Sequence, residues 1–145
     1  MRERSDLKNS SIVIDTGVFI EYLEGTELGT KFEQFVLDNS DINQYLVSPL
    51  VETELKYVLC RKLGIDEAIS MIDDFLKDFY IYPESELRNE VSRLKCFYPI
   101  SLADCYSISI ATLNSIPVIF KKEKELNEKL ESLSNEAEIR FIEDL

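Results

Sequence analysis

The sequence predicts an α/β fold in which a central, mostly parallel sheet of four or five strands lies between helices. Short apolar runs rich in β-branched residues alternate with longer segments whose apolar residues recur at helical spacing. This alternation favours a parallel sheet, because each crossover between parallel strands needs a helix. The chain has 145 residues, 45% of them apolar and only four of them glycine, so it is long enough for one domain with a good core.

Four segments have the apolar, β-branched character of buried strands. They cover residues 11–14, 45–47, 117–120 and 139–142. Ile81 and Tyr82, directly before Pro83, predict a fifth and very short strand.

The segments between the strands predict helices with recognisable starts and stops. Gly25 and Gly64 end the first and third helices, and Pro49 begins the third. Asp66 is a good N-cap for the fourth helix, and Ser101 caps the most apolar helix of the chain. The predicted helices cover about residues 18–23, 28–36, 49–63, 67–79, 84–97, 102–113 and 123–133.

The composition excludes several kinds of chemistry. The chain has no histidine, which excludes Ser-His-Asp and Cys-His catalysis and most zinc enzymes. Its three cysteines show no metal-binding spacing, so we expect reduced, packed thiols. The net charge of −12 argues against binding of nucleic acid through a basic surface. A nuclease is still compatible with it, because bound cations reverse the charge locally.

The sequence predicts a cytoplasmic protein with no membrane association. No apolar run approaches the roughly 18 residues of a membrane-spanning helix. Asp15 interrupts the first apolar run, so a signal peptide is not expected. We predict a single domain over residues 1–145, in which residues 1–10 form a flexible or loosely attached extension.

Three acidic residues lie in apolar surroundings, far apart in the chain. Asp15 follows the first strand, and Glu54 and Asp104 lie within or beside the apolar arcs of two helices. Burying an ionised carboxylate costs several kcal/mol, and several carboxylates together repel one another unless a hard cation binds them. Since reactive residues gather at the carboxyl ends of parallel strands, this pattern indicates a divalent-metal site.

Each of these residues also has a purely structural interpretation. Asp15 could be the N-cap of the following helix. Glu54 could be a boundary glutamate whose carboxylate reaches solvent, and Asp104 could complete a capping box with Ser101. These alternatives are open at the level of sequence.

The chain resembles the PIN-domain family in three motifs that occur in the family's order. The segment IVIDTGVFI resembles the first motif, SPLVETELKYVLCRKLG the second and ISLADCYSISIATL the third. The resemblance extends from Ile12 to about Phe141. It implies a three-layer α/β/α sandwich, with Asp15, Glu54 and Asp104 as catalytic metal-binding acids and Thr16 supporting the site through its hydroxyl.

The family's usual fourth acid, an aspartate after the fourth strand, is absent here. The corresponding segment reads PVIFKKEKEL, and alignment of Leu126 with the family's closing apolar residue puts Glu123 at the acid position. Glu123 could reach a metal that keeps several waters, with Glu125 as its neighbour. Alternatively, Glu123 is a first-turn acid stabilised by the helix dipole.

The resemblance implies an endoribonuclease that uses one or two Mg²⁺ or Mn²⁺ ions. It further implies an RNA substrate, a homodimer, and a small antitoxin partner if the chain is the toxin of a toxin–antitoxin pair. Lys121, Lys122 and Lys124 lie beside the proposed site, where they could contact the RNA backbone or simply form a solvated helix start.

Two alternatives come from other functional classes. The first is a PIN-like domain with weak or no activity that binds RNA or protein without cleaving, which the missing aspartate and the acidic charge motivate. The second is a nucleotide-binding α/β domain, which is disfavoured because the sequence has no phosphate-binding glycine motif.

Overall fold

The computed structural model describes residues 11–145 and confirms the predicted fold class. Five strands form one parallel sheet in the order β3-β2-β1-β4-β5, and helices cover both of its faces. The predicted extension, residues 1–10, lies outside the described residues.

The strands are β1 (Ser11–Ile14), β2 (Gln44–Val47), β3 (Tyr80–Ile81), β4 (Val118–Phe120) and β5 (Ile139–Phe141). The helices are α1 (Thr16–Glu24), α2 (Glu27–Phe32), α3 (Pro49–Leu63), α4 (Ile65–Leu76), α5 (Arg88–Phe97), α6 (Leu102–Asn114) and α7 (Lys124–Leu133). A π-helical turn, Glu33–Leu37, continues α2, and 3-10 turns occupy Glu84–Glu86 and Ile142–Asp144.

Alternate residues of the central strands point to opposite faces of the sheet and make two cores. On one face, Val13 and Val118 pack with residues of α5, α6 and α7. On the other face, Ile14 and Ile119 pack with residues of α1 to α4. The strands read as continuous apolar runs because both of their faces are covered, as is usual for parallel sheets.

Several predicted boundaries differ from those in the structure. Asp66 is not an N-cap, because Gly64 at φ 85° both ends α3 and precedes α4, which places Asp66 in the first helical turn. The fifth strand is Tyr80–Ile81, since its register is set by pairing with the end of β2. The helix predicted from residue 84 begins at Arg88, after a 3-10 turn.

The topology places Asp15 at the point where the strand order reverses. The chain leaves β1 and returns in β2 on one side, whereas β4 pairs with β1 on the other. The backbone N–H of Asp15 donates to the carbonyl of Ile119 over 3.1 Å, which fixes the end of β1 beside the end of β4. Clefts at such switch points are the usual ligand sites of open α/β sheets.

Within residues 11–145, no single helix is long and apolar enough to cross a membrane. The helices α5 and α6 reach the required length and composition only together, and the chain bends by 118° between them.

Candidate functional site

Asp15 is buried at the carboxyl end of β1, with 5% of its surface exposed. It occupies the N-cap position of α1, but its side chain makes no capping hydrogen bond. Its Oδ1 instead accepts a hydrogen bond of 2.7 Å from the hydroxyl of Ser107 on α6. The structural interpretation of Asp15 as a helix cap therefore does not account for the position of its carboxylate.

The surroundings of Asp15 disfavour a negative charge. Burial raises the pKa of Asp15 well above its usual range, and the charge of Asp104 raises it further. The hydrogen bond from Ser107 lowers this pKa, whereas the charges of Glu54 and Glu123 raise it again. The four carboxylates are thus close enough to repel one another.

Glu54 lies on α3 and is fixed by the residue that follows Asp15. The hydroxyl of Thr16 donates to Glu54 Oε1 over 2.8 Å, and Thr16 itself is buried. The Glu54 residue is half-buried. The hydrogen bond directs its carboxylate toward the end of β1 rather than outward, which argues against the solvent-facing alternative.

Asp104 is buried in the first turn of α6, with 3% of its surface exposed. The hydroxyl of Ser101 accepts from the Asp104 backbone N–H over 3.1 Å, so the N-cap predicted at Ser101 is present. Asp104 Oδ2 is nevertheless the one buried side-chain oxygen or nitrogen without a hydrogen-bond partner among residues 11–145. A buried carboxylate oxygen without a partner is energetically costly, and Asp104 Oδ2 is therefore available to carry a proton or to bind a cation.

The pKa of Asp104 is raised to about 7 by burial and then by the charge of Glu123. Hydrogen bonding with Ser101 lowers it, and the charges of Glu54 and Glu125 raise it. Near neutral pH the neutral and the charged form of this carboxyl group are therefore both populated.

Glu123 is the N-cap residue of α7, and its side chain makes no capping hydrogen bond. Partial burial of its carboxyl group, followed by the charges of Glu125 and Glu54, raises the pKa of Glu123, although the residue as a whole is exposed. Lys121 is the cation that lowers it. Glu123 thus belongs electrostatically to the group that Asp15, Glu54 and Asp104 form, and this quartet is called the acidic cluster below.

The acidic cluster fits a hard divalent cation by its donor chemistry. All its ligand atoms are carboxylate oxygens, and one of them is buried without a partner. In the described part of the chain, however, no three His, Cys, Asp or Glu side chains form a ready-made metal site.

The lysines predicted beside the site differ in their surroundings. Lys121 Nζ lies 2.5 Å from Glu21 Oε1, so this lysine is held by a buried acid. The Lys122 backbone N–H donates to the carboxylate of Glu143, and its ammonium lies 3.0 Å from an oxygen of Asp144. Lys124, the first residue of α7, is exposed.

Sequence reasoning missed two residues of this region. Ser107 is fully buried, and its signal was a polar residue three positions after Asp104, on the same face of a mainly apolar helix. Glu21 is also buried, but it follows the apolar residues Val18 to Ile20, as many solvent-exposed acids of amphipathic helices do. No sequence signal therefore distinguished it from a surface residue.

A surface cleft of about 460 Å³ lies at the opposite edge of the sheet. It includes Pro117 and Glu138, which precede β4 and β5. The charged side chains in it are paired within the protein, as Glu138 with Arg140 shows. Nothing in this cleft has the chemistry of the acidic cluster.

Comparison with known proteins agrees with this architecture. The sequence profile of the PIN domain matches residues 12–130. VapBC-1 of nontypeable Haemophilus influenzae is similar in structure, with a TM-score of 0.68 and 14% identity over 92% of this chain and 98% of that chain. A toxin–antitoxin complex from Klebsiella pneumoniae has a TM-score of 0.62 and 16% identity, over 79% of this chain and 89% of that one.

VapC20 of Mycobacterium tuberculosis, described as a sarcin–ricin loop cleaving toxin, has a TM-score of 0.59 and 14% identity, over 74% of this chain and 86% of that one. At such identities the structural similarities show a shared fold. No curated protein matches the sequence.

Proposed function

The chain belongs to the PIN-domain family, and we propose that it is a divalent-metal-dependent endoribonuclease that hydrolyses RNA phosphodiester bonds. The observation that carries this proposal is the buried, unpartnered Asp104 Oδ2 within a group of four mutually repelling carboxylates. A carboxylate cluster of this kind is stable at neutral pH only with a cation or with bound protons.

Asp15, Glu54, Asp104 and Glu123 would hold one or two Mg²⁺ or Mn²⁺ ions. A bound divalent cation would supply Lewis-acid chemistry, lowering the pKa of water and stabilising negative charge on a phosphate. The hydroxyl of Thr16 keeps the Glu54 carboxylate directed at the site. The chain has no histidine, so it offers no imidazole as a general base.

Recognition of RNA would depend on lysines at the edge of the site. Lys124 is exposed, and Lys121 is held close enough to Glu123 to affect its pKa. These cations, with Lys122, would attract the phosphate backbone to a surface that is otherwise acidic.

The proposal is tested by cleavage of labelled single-stranded RNA in Mn²⁺, with EDTA and Asp104→Asn as negative controls. Asp66→Asn is a matched control, because Asp66 is also a first-turn aspartate but lies exposed on α4. We expect cleavage by the wild type and by Asp66→Asn, and none by Asp104→Asn or in EDTA. Absence of cleavage by folded wild-type protein, across several RNAs and metals, would overturn the proposal.

A second candidate function is a PIN-like module that binds RNA or protein without cleaving. Glu123 in place of the family's aspartate favours it, as does the absence of a ready-made metal site among residues 11–145. RNA binding that persists in EDTA, without cleavage in any metal, would support this alternative.

We further propose that the chain is the toxin of a toxin–antitoxin pair. One structural neighbour is named as a toxin–antitoxin complex, and another is named as a cleaving toxin. An apolar groove of about 240 Å³ between α1, α3 and α4 is a suitable surface for an amphipathic helix of the antitoxin. Its apolar lining comprises Ile20, Leu23, Leu55, Val58, Leu59, Leu63 and Met71.

The test of the partner uses the product of the neighbouring gene as the inhibitor. We expect it to stop RNA cleavage by the wild type and by Leu113→Asp, since Leu113 is exposed on α6. Leu59→Asp places a charge in the groove and should escape inhibition while still cleaving RNA. Equal inhibition of both variants would argue against the groove. We also propose that the chain forms a homodimer, as the resemblance to the PIN-domain family implies, and light scattering after gel filtration would test this.

A further inference from the structure

The hydroxyl of Ser107 connects two parts of the acidic cluster. Ser107 lies on α6 three residues after Asp104, so both side chains are on the same face of this helix. Ser107 is fully buried, and its Oγ donates to Asp15 Oδ1 over 2.7 Å, across 92 positions of sequence. One helix thus supplies an acid of the cluster and the group that holds another acid.

Ser109, two residues later, is a second buried serine on this helix and makes the hydrogen bond that is usual for a helical serine. It is also fully buried, and its hydroxyl donates to the backbone carbonyl of Cys105 over 2.7 Å. Such a bond to the carbonyl four residues earlier is the ordinary local solution for a helical serine. Ser107 makes a long-range bond to a carboxylate instead.

The hydrogen bond from Ser107 opposes the effect of the other surroundings on the charge of Asp15. Burial and the neighbouring carboxylates all disfavour the ionised form of Asp15, whereas Ser107 favours it. A hydrogen bond to one oxygen also restricts rotation of the carboxylate and so fixes where its other oxygen lies.

We infer that Ser107 is a positioning residue for cation binding: its hydroxyl engages Asp15 Oδ1 and so fixes the orientation of a carboxylate that would hold the cation. This inference rests on the proposed function. Outer groups that orient metal ligands typically contribute ten- to a hundredfold in affinity.

The experiment measures Mn²⁺ affinity by calorimetry for the wild type, Ser107→Ala and Ser109→Ala. Both substitutions remove one hydroxyl from a fully buried position of the same helix. We expect Ser107→Ala to raise the dissociation constant of Mn²⁺ about tenfold, and Ser109→Ala to leave it within about twofold. Thermal unfolding without divalent cations shows whether each variant is folded and what its stability loss is.

The outcomes separate this inference from the proposed function. If the wild type binds Mn²⁺ and cleaves RNA but Ser107→Ala binds Mn²⁺ equally well, Ser107 has a structural role and only this inference fails. An equal loss of affinity in Ser109→Ala would overturn it too, because the effect would then come from α6 in general. If the wild type binds no Mn²⁺ and cleaves no RNA, both are overturned.

Discussion

Lys121 and Glu21 form an ion pair beside the acidic cluster, with 2.5 Å between Lys121 Nζ and Glu21 Oε1. Glu21 is 9% exposed and also accepts a hydrogen bond from Thr26. These contacts lower the pKa of Glu21, and the contact with Lys121 lowers it most. A lysine that the sequence suggested as an RNA contact therefore also stabilises a buried acid.

We predict that Lys121→Met lowers the free energy of unfolding by about 1 kcal/mol, because it leaves Glu21 buried without its cation. Lys122→Met is the matched control, since its ion pair with Asp144 is exposed and should contribute less than about 0.5 kcal/mol. Urea unfolding at pH 7 measures both values. Equal effects of the two substitutions would contradict the prediction.

The second prediction concerns pH and the metal-free protein. The pKa of Asp104 is raised to about 7 in the folded protein, whereas that of an aspartate in an unfolded chain is about 3.9. Between these pH values the folded state binds more protons at this group than the unfolded state does. The contribution of Asp104 to the free energy of unfolding therefore falls as the pH rises from about 4 to about 7.

Asp104→Asn removes this charge and should stabilise the metal-free protein at pH 8 by about 1–3 kcal/mol relative to the wild type. The difference should be much smaller at pH 5. Urea unfolding in EDTA at the two pH values measures it. Asp66→Asn, on the exposed side of α4, should show no such dependence on pH. A stabilisation by Asp104→Asn that is independent of pH would refute the electrostatic explanation.

The third prediction is that divalent cations stabilise the fold through the acidic cluster. At a Mn²⁺ concentration 100 times its dissociation constant, the free energy of unfolding should rise by about 2.7 kcal/mol. Asp15→Asn should abolish this increase. Mn²⁺ should bind more tightly at pH 8 than at pH 6, because Asp15 and Asp104, whose pKa values are raised, must lose their protons to bind it. Thermal unfolding over a Mn²⁺ titration provides the test, and stabilisation that survives in Asp15→Asn would place the cation elsewhere.

The fourth prediction separates Glu123 from its neighbour Glu125. Both residues are exposed. The charge of Glu123, however, raises the pKa of Asp15, and the charge of Glu54 raises the pKa of Glu123. We expect Glu123→Gln to weaken Mn²⁺ binding at least about tenfold, with a smaller effect of Glu125→Gln.

Glu123→Asp restores the residue type that the family usually has and should keep Mn²⁺ binding and cleavage. Calorimetry and the RNA cleavage assay measure these effects. If Glu123→Gln and Glu125→Gln behave alike, Glu123 has no role at the metal beyond that of any acid near the start of α7.

Local sequence was sufficient where a structural feature depends on neighbouring residues. The strand ending at Ile14 was predictable because β-branched residues favour extended backbone, and the end of α3 was predictable from Gly64. The start of α4 was not predictable, because Asp66 is a good cap in isolation and only the positive φ of Gly64 shows that the helix begins before it.

The sequence by itself determined the fold class, the family and the four acids to consider, since these follow from periodicity and from motifs that are local in the chain. Only the tertiary structure decided how the carboxylate of Asp15 is used, because its choice between capping α1 and accepting from Ser107 depends on how α6 packs against β1. The pairing of Lys121 with Glu21 was decided in the same way. Hydrogen bonds between distant residues follow from packing, which no local pattern encodes.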